Sequence, residues 1–171
     1  MKQKLCYLIV LVSLMLIFSC STDEDLIDDS SNLYINEFMA KNSKTITDQD
    51  DEYDDWVELY NNSATAVNLE GYYLSDDDQE VDKWQLPDVQ IDPSGYLIIW
   101  CDEDTLQDGL HASFKLSGSG ETLILTAPDG LETLDSYQFE EQNYDISEGR
   151  MPDGSDNWEF FDEPTPGYSN Q

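Results

Sequence analysis

Positive charge is what this sequence has least of: seven Lys and Arg stand against 38 Asp and Glu, a formal net charge of −31 over 171 residues. Nucleic acids are held by Lys and Arg displacing phosphate counterions, so the shortage argues against a nucleic-acid partner. Anionic lipid headgroups are repelled for the same reason. Cations, cationic partners and neutral surfaces remain. Histidine is almost missing as well, with His111 alone, which argues against a catalytic zinc centre. Helical periodicity is absent after the N-terminal segment: no ten-residue stretch repeats its apolar residues every 3.6 positions.

The N-terminus is the one place where bases lead. Lys2 and Lys4 precede CYLIVLVSLMLIF (Cys6 to Phe18), apolar apart from Ser13, and a small Ser19 comes before Cys20. A run of roughly 13 apolar residues is shorter than the about 20 a membrane span needs and suits a signal peptide. Its ending resembles a bacterial lipoprotein signal, with residues 1–19 removed and Cys20 lipidated as the mature N-terminus; Phe18 stands where that family usually has a smaller residue. The alternatives, an uncleaved anchor or an ordinary secretion signal, also put the domain outside the cytoplasm. Cleavage removes two bases and no acid, leaving five bases against 38 acids, a net charge of −33. Cys6 leaves with the leader and Cys20 carries lipid, so Cys101 stands alone and the mature core holds without an intrachain disulfide. STDEDLIDDSSN, residues 21–32, has five acids and no strand or helix period. With Cys20 it reads as a lipidated, disordered tether over residues 20–32, reaching roughly 20 Å as a flexible coil. Asp23, Glu24 and Asp25 resemble the acidic signal that sends some lipoproteins to the outer face of the cell, or they are a solvated spacer.

From Leu33 to about residue 169 the chain is short runs rich in Val, Ile, Tyr and Trp, divided by Gly, Pro, Asn and Asp. LYINEF, WVELYN, GYYLS, KWQLP, GYLIIWC, ASFKL, ETLILTA, ETLDSYQF and NWEFF are the expected strands. Asp129-Gly130 between two alternating runs is the strongest hairpin signal. GYLIIWC is apolar on both faces and reads as a strand buried in the middle of a sandwich. The fold class is therefore all-β, a sandwich of seven to nine strands. Alternation assigns Trp56, Leu59, Trp84, Leu97, Ile99, Phe114, Leu123 and Leu125 to its core, with Trp158 the tryptophan left exposed.

The order of several motifs carries a resemblance. WVELYNNS (56–63), VNLEGYYL (67–74), KWQLP (83–87) followed by IDPSGYLIIW (91–100), then FKL (114–116), GETLIL (120–125) and the closing PTPG (164–167) together resemble the lamin tail domain family in its bacterial, secreted branch. The resemblance implies an immunoglobulin-like β-sandwich and a noncatalytic interaction module. In lamins such a module makes protein and sometimes DNA contacts; in bacteria it stands beside secreted hydrolases or anchors. This chain has no basic surface suited to DNA.

The candidate chemistry is acidic. In TDQDDEYDDWVEL, residues 47–59, seven acids occur with no Lys or Arg among them. Calcium takes six to eight oxygen ligands, and alternate acids in a loop supply several. The EF-hand pattern is missed, because Tyr53 stands at its glycine and Leu59 at its closing glutamate. If the first two strands pair, Glu37 converges with Asp54, Asp55 and Glu58 on one calcium ion; the plainer reading is a solvated acidic rim. His111 with Ser113 makes a weak hydrolase signal, and Cys101 reads as a core or rim thiol. The leading expectation is a lipid-anchored outer-membrane or surface binding module without catalytic activity, calcium-stabilised, with a protein or glycan partner. A small calcium-dependent extracellular hydrolase is the alternative.

Overall fold

The computed structural model describes residues 32–171. The expected leader over 1–19, Cys20 and all of the tether except Asn32 lie outside the described residues. The strands are β1 (Leu33–Met39), β2 (Trp56–Asn61), β3 (Val67–Asn68), β4 (Tyr73–Ser75), β5 (Trp84–Gln85), β6 (Gln90–Ile91), β7 (Tyr96–Cys101), β8 (His111–Ala112), β9 (Glu121–Thr126), β10 (Thr133–Phe139), β11 (Ser147–Arg150) and β12 (Trp158–Phe161). They form a six-stranded sheet in the order β12-β11-β1-β2-β7-β8 and a four-stranded sheet in the order β10-β9-β4-β5, with β3 paired to β6. The strand count exceeds seven to nine because β3, β5, β6 and β8 are two-residue pieces.

Between the sheets lies the core. Leu33, Ile35, Phe38, Val57, Leu59 and Ile99 face Leu74, Leu123, Leu125 and Phe139, with Phe114 and Leu116 filling from a loop. Phe38 and Phe139 meet with ring centroids 4.5 Å apart. Period-two alternation sends Val57 and Leu59 inward and Trp56, Glu58 and Tyr60 to the far face of the same sheet. In β1 the register shifts between Ile35 and Glu37, so Asn36 is bulged and both Ile35 and Phe38 reach the core although three residues apart.

Five expected core residues, Leu59, Ile99, Phe114, Leu123 and Leu125, lie in this cluster, and Trp84 and Leu97 pack against its edge half-buried. Trp56 is fully buried, but on the other face of its sheet. The hairpin expected at Asp129-Gly130 joins β9 to β10. It is wider than a two-residue turn: the Ala127 N–H donates to the Glu132 carbonyl, and Asp129 Oδ1 accepts from the Leu131 and Glu132 N–H groups.

Three expectations are corrected. In β7 only Ile99 and Cys101 are buried, because its outer neighbour is the two-residue parallel β8. Burial on both faces belongs instead to β1 and β2. Of the ASFKL run only Ala112 lies in a strand, at the end of β8, and Lys115 forms an isolated bridge with Asp102. Trp158 is half-buried, stacked on Tyr137 at 3.6 Å between centroids.

Candidate functional site

The far face of the large sheet carries buried acids. Glu37 and Glu58 lie directly opposite each other across β1 and β2, and both are fully buried. Such a pair survives only when donors reach its oxygens. Glu37 Oε1 accepts from Ser147 Oγ at 2.5 Å and the Thr165 N–H at 3.0 Å, and Oε2 accepts from Thr165 Oγ1 at 2.8 Å. Glu58 Oε1 accepts from Asn36 Nδ2 at 3.1 Å, and Oε2 from the Gly167 N–H at 2.6 Å. The C-terminal segment PTPGYSN is thus the lid of this face. Asp153 joins in, accepting from Asn36 Nδ2, Tyr96 Oη, Ser169 Oγ and the Asn170 N–H.

Burial pushes the Glu58 carboxyl up to about 8, against the pull of its two donors, and the neighbouring Glu37 and Asp153 charges add to the rise. Glu37 is raised as well, chiefly by burial. Asp153 is also buried in part, but its hydrogen bonds from Ser169, Asn170, Asn36 and Tyr96 hold it below the ordinary range.

Backbones must approach closely for this lid to shut. Gly149 sits opposite Glu37, and a Cβ there would lie 2.9 Å from both Asn170 Nδ2 and the Asn36 carbonyl oxygen. Because one of those atoms is backbone, Gly149→Ala is expected to cost about 1–3 kcal/mol in urea denaturation. An unchanged midpoint would show that the lid yields freely.

Asp54 and Asp55 do not join Glu37 and Glu58, so the expected four-residue convergence is corrected. They precede the first residue of β2, where Trp56 pairs with Met39, whereas Glu58 is further along the strand opposite Glu37. Asp55 Oδ1 accepts from the Asn42 N–H at 3.1 Å. Its carboxyl is pushed up to about 6, first by burial and further by the Asp54 charge. Asp54 belongs to a second acidic group with Asp48 and Glu52, whose carboxylate oxygens come within 4.8 Å of one another.

Beside that group, Asp48 also comes within 4.8 Å of Asp102 and His111. His111 Nδ1 is 2.6 Å from Asp102 Oδ2, and its Nε2 is 2.8 Å from Gln49 Nε2. Asp102, at the end of β7, also accepts from the Asp104 N–H through Oδ1. Both ring nitrogens therefore face groups other than a hydroxyl, and Ser113 is exposed. The His111–Ser113 pairing is not assembled into a relay. Cys101 is a core thiol, raised well above its ordinary value, first by burial and then by the Asp55 and Asp102 charges.

Sequence reasoning missed β11. SEGR has no apolar side chain, yet all four residues are buried between β1 and β12. Arg150, the sole arginine in the chain, carries the signal that was there to be read. It donates from Nε to the Ile35 carbonyl at 2.9 Å and from Nη2 to both Asp135 oxygens at 2.8 and 3.0 Å, and its guanidinium lies 4.7 Å from the Trp158 ring.

Two stacked antiparallel-rich sheets with buried alternating faces define an immunoglobulin-like β-sandwich. The Lamin Tail Domain family model matches residues 28–141, and the chain belongs to that family. Its fold is that of a structural and binding module. β11, β12 and the lid follow the matched span. No curated protein matches the chain.

Proposed function

We propose that this protein is a lipid-anchored binding or structural module of the bacterial cell envelope, held by an acylated Cys20 to the outer membrane and displayed on the acidic tether of residues 20–32. The observation that carries this reading is the succession of an apolar leader ending at Ser19-Cys20, an acid-rich spacer and a lamin tail sandwich. Its partner is a protein or glycan; a surface this acidic turns away nucleic acid. Edge strand β12, whose Phe160 is 57% exposed, offers unpaired backbone groups to such a partner. Surface display is supported by Asp23-Glu24-Asp25 and is read by protease digestion of intact cells.

The Asp102–His111 pair is the one observation that favours the alternative, a small hydrolase. Gln49, rather than a hydroxyl, faces the second ring nitrogen, so the binding reading is preferred. Fractionation tests the anchor. Cys20→Ala is expected to move the protein from the membrane to the soluble fraction, since lipid is the attachment and no helix among the described residues is long and apolar enough to cross a membrane. Retention of the variant in membranes washed with high salt would overturn the proposal.

A further inference from the structure

The acidic corner at the N-terminal approach to β2 holds two features that a solvated rim lacks. Asp48 is 8% exposed, and its Oδ2 has no hydrogen-bond donor among the described residues. Asp54 Oδ2 is likewise buried without a donor. Glu52 completes with them a set of carboxylate oxygens within 4.8 Å, and Asp102 and His111 lie within the same distance of Asp48. Burial first, and then the charges of Asp102, Asp48 and Glu52, raise the Asp54 carboxyl, with Lys115 the one base that works against them. Two buried carboxylate oxygens facing further carboxylates are costly unless a cation or a proton sits with them.

The folding of the loop produces this arrangement. Asp48 Oδ1 accepts from the Asp50 and Glu52 N–H groups at 2.9 Å each, and the Asp48 N–H donates to the Glu52 carbonyl. These bonds bend residues 48–52 into a tight turn and commit Oδ1, leaving Oδ2 as the oxygen without a donor. The loop is fastened over the end of β7 by the Cys101 N–H, which donates to the Asp55 carbonyl at 2.8 Å.

We propose that Asp48, Glu52 and Asp54 bind one calcium ion. Three carboxylates offer hard oxygen donors, and calcium accepts irregular sets completed by backbone oxygens and water. Magnesium fits less well because it demands near-octahedral geometry and gives up its own water reluctantly. Zinc would require the imidazole, but His111 is already turned between Asp102 and Gln49. Glu52 is exposed, with only a 3.4 Å contact from Gln107 Nε2, so it is free to swing onto the ion. Calcium was expected from the sequence; its ligands are relocated from Glu37, Asp55 and Glu58 to the turn and stand independently of the lipid anchor.

The test uses the full chain in detergent, freed of metal with a chelator and titrated with calcium chloride by calorimetry at constant sodium chloride. One ion per chain is expected, and melting is expected to rise by several degrees above that in sodium chloride of equal ionic strength. Glu52→Gln and Asp54→Asn are each expected to weaken binding by about tenfold or more, whereas Asp78→Asn, at an exposed loop, leaves it unchanged. Glu52 is on the surface, so its variant folds and the comparison stands even if Asp54→Asn does not. Absence of saturable binding, or unchanged affinity in Glu52→Gln, would overturn the proposal. So would loss of binding in Glu58→Gln with Glu52→Gln unaffected, or zinc binding abolished by His111→Asn where calcium fails to bind.

Discussion

Stability should fall as pH rises from about 5 to about 8, the reverse of what ordinary ion-paired carboxylates produce. Glu58 has an ordinary value of 4.5 and is pushed up to about 8 in the folded chain by burial. Between those values the folded chain binds more protons than the unfolded one, so the derivative of stability with pH is negative there. The contribution is intact below about 4.5 and lost as pH passes about 8. Its size is at most roughly 4–5 kcal/mol, since each unit is worth about 1.4 kcal/mol and Glu58 shares its site with Glu37. Glu37 is raised too, and Glu121, pushed up to about 7 chiefly by burial, acts in the same direction from β9 of the four-stranded sheet. Asp153 has the opposite sign: its depressed value contributes stability that is lost in strong acid. Urea unfolding at pH 5, 6, 7 and 8 measures the slope. Glu58→Gln isolates its cause, because the amide has no proton to lose but accepts on one side only. It is expected to be about 1 kcal/mol less stable than the wild type at pH 5 and about 2–4 kcal/mol more stable at pH 8. Parallel curves would assign the slope to other groups.

Arg150→Met is expected to cost about 3–5 kcal/mol, the largest effect of any single substitution of a basic residue here. The guanidinium is 5% exposed in a chain with few cations, and Asp135 is its carboxylate partner on both oxygens. Removing it leaves Asp135 buried, with the Ile35 and Ser136 N–H groups as its remaining donors, and also frees the Ile35 carbonyl. Burial already raises the Asp135 carboxyl even with Arg150 pulling it down, so little stabilisation is held in reserve. Arg150→Lys restores charge but not the two-pronged geometry, and is expected to recover less than half of the loss. The double variant Arg150→Met with Asp135→Leu is expected to be more stable than Arg150→Met alone, because no unpaired charge remains. Tryptophan fluorescence follows the transition, since Trp158 stacks between Tyr137 and Arg150. A cost below about 1 kcal/mol would mean that β11 is held mainly by its backbone ladder.

The sequence by itself determined the class of this protein. Alternating β-branched and aromatic runs place β1, β2, β9 and β10 within a residue or two, because one face of each must meet the core and the period of two is visible locally. Shortage of bases, the single histidine and the ordered lamin-tail motifs likewise lie in the chain itself. Tertiary structure decided which acids share a site. Glu37 and Glu58 are 21 residues apart and meet through the β1–β2 register, while their donors come from Thr165 and Gly167, more than 100 positions away. Asp54, next in sequence to Asp55, is turned instead toward Asp48 and Glu52 by a loop closed with side-chain-to-backbone hydrogen bonds. β11 was hidden for the same reason: SEGR is buried because Glu37, Asp135 and Tyr137 supply partners for Ser147, Arg150 and Glu148. Apolar burial leaves a periodic trace in the sequence. Polar burial depends on partners brought from distant strands, so it becomes readable only when the sheets are assembled.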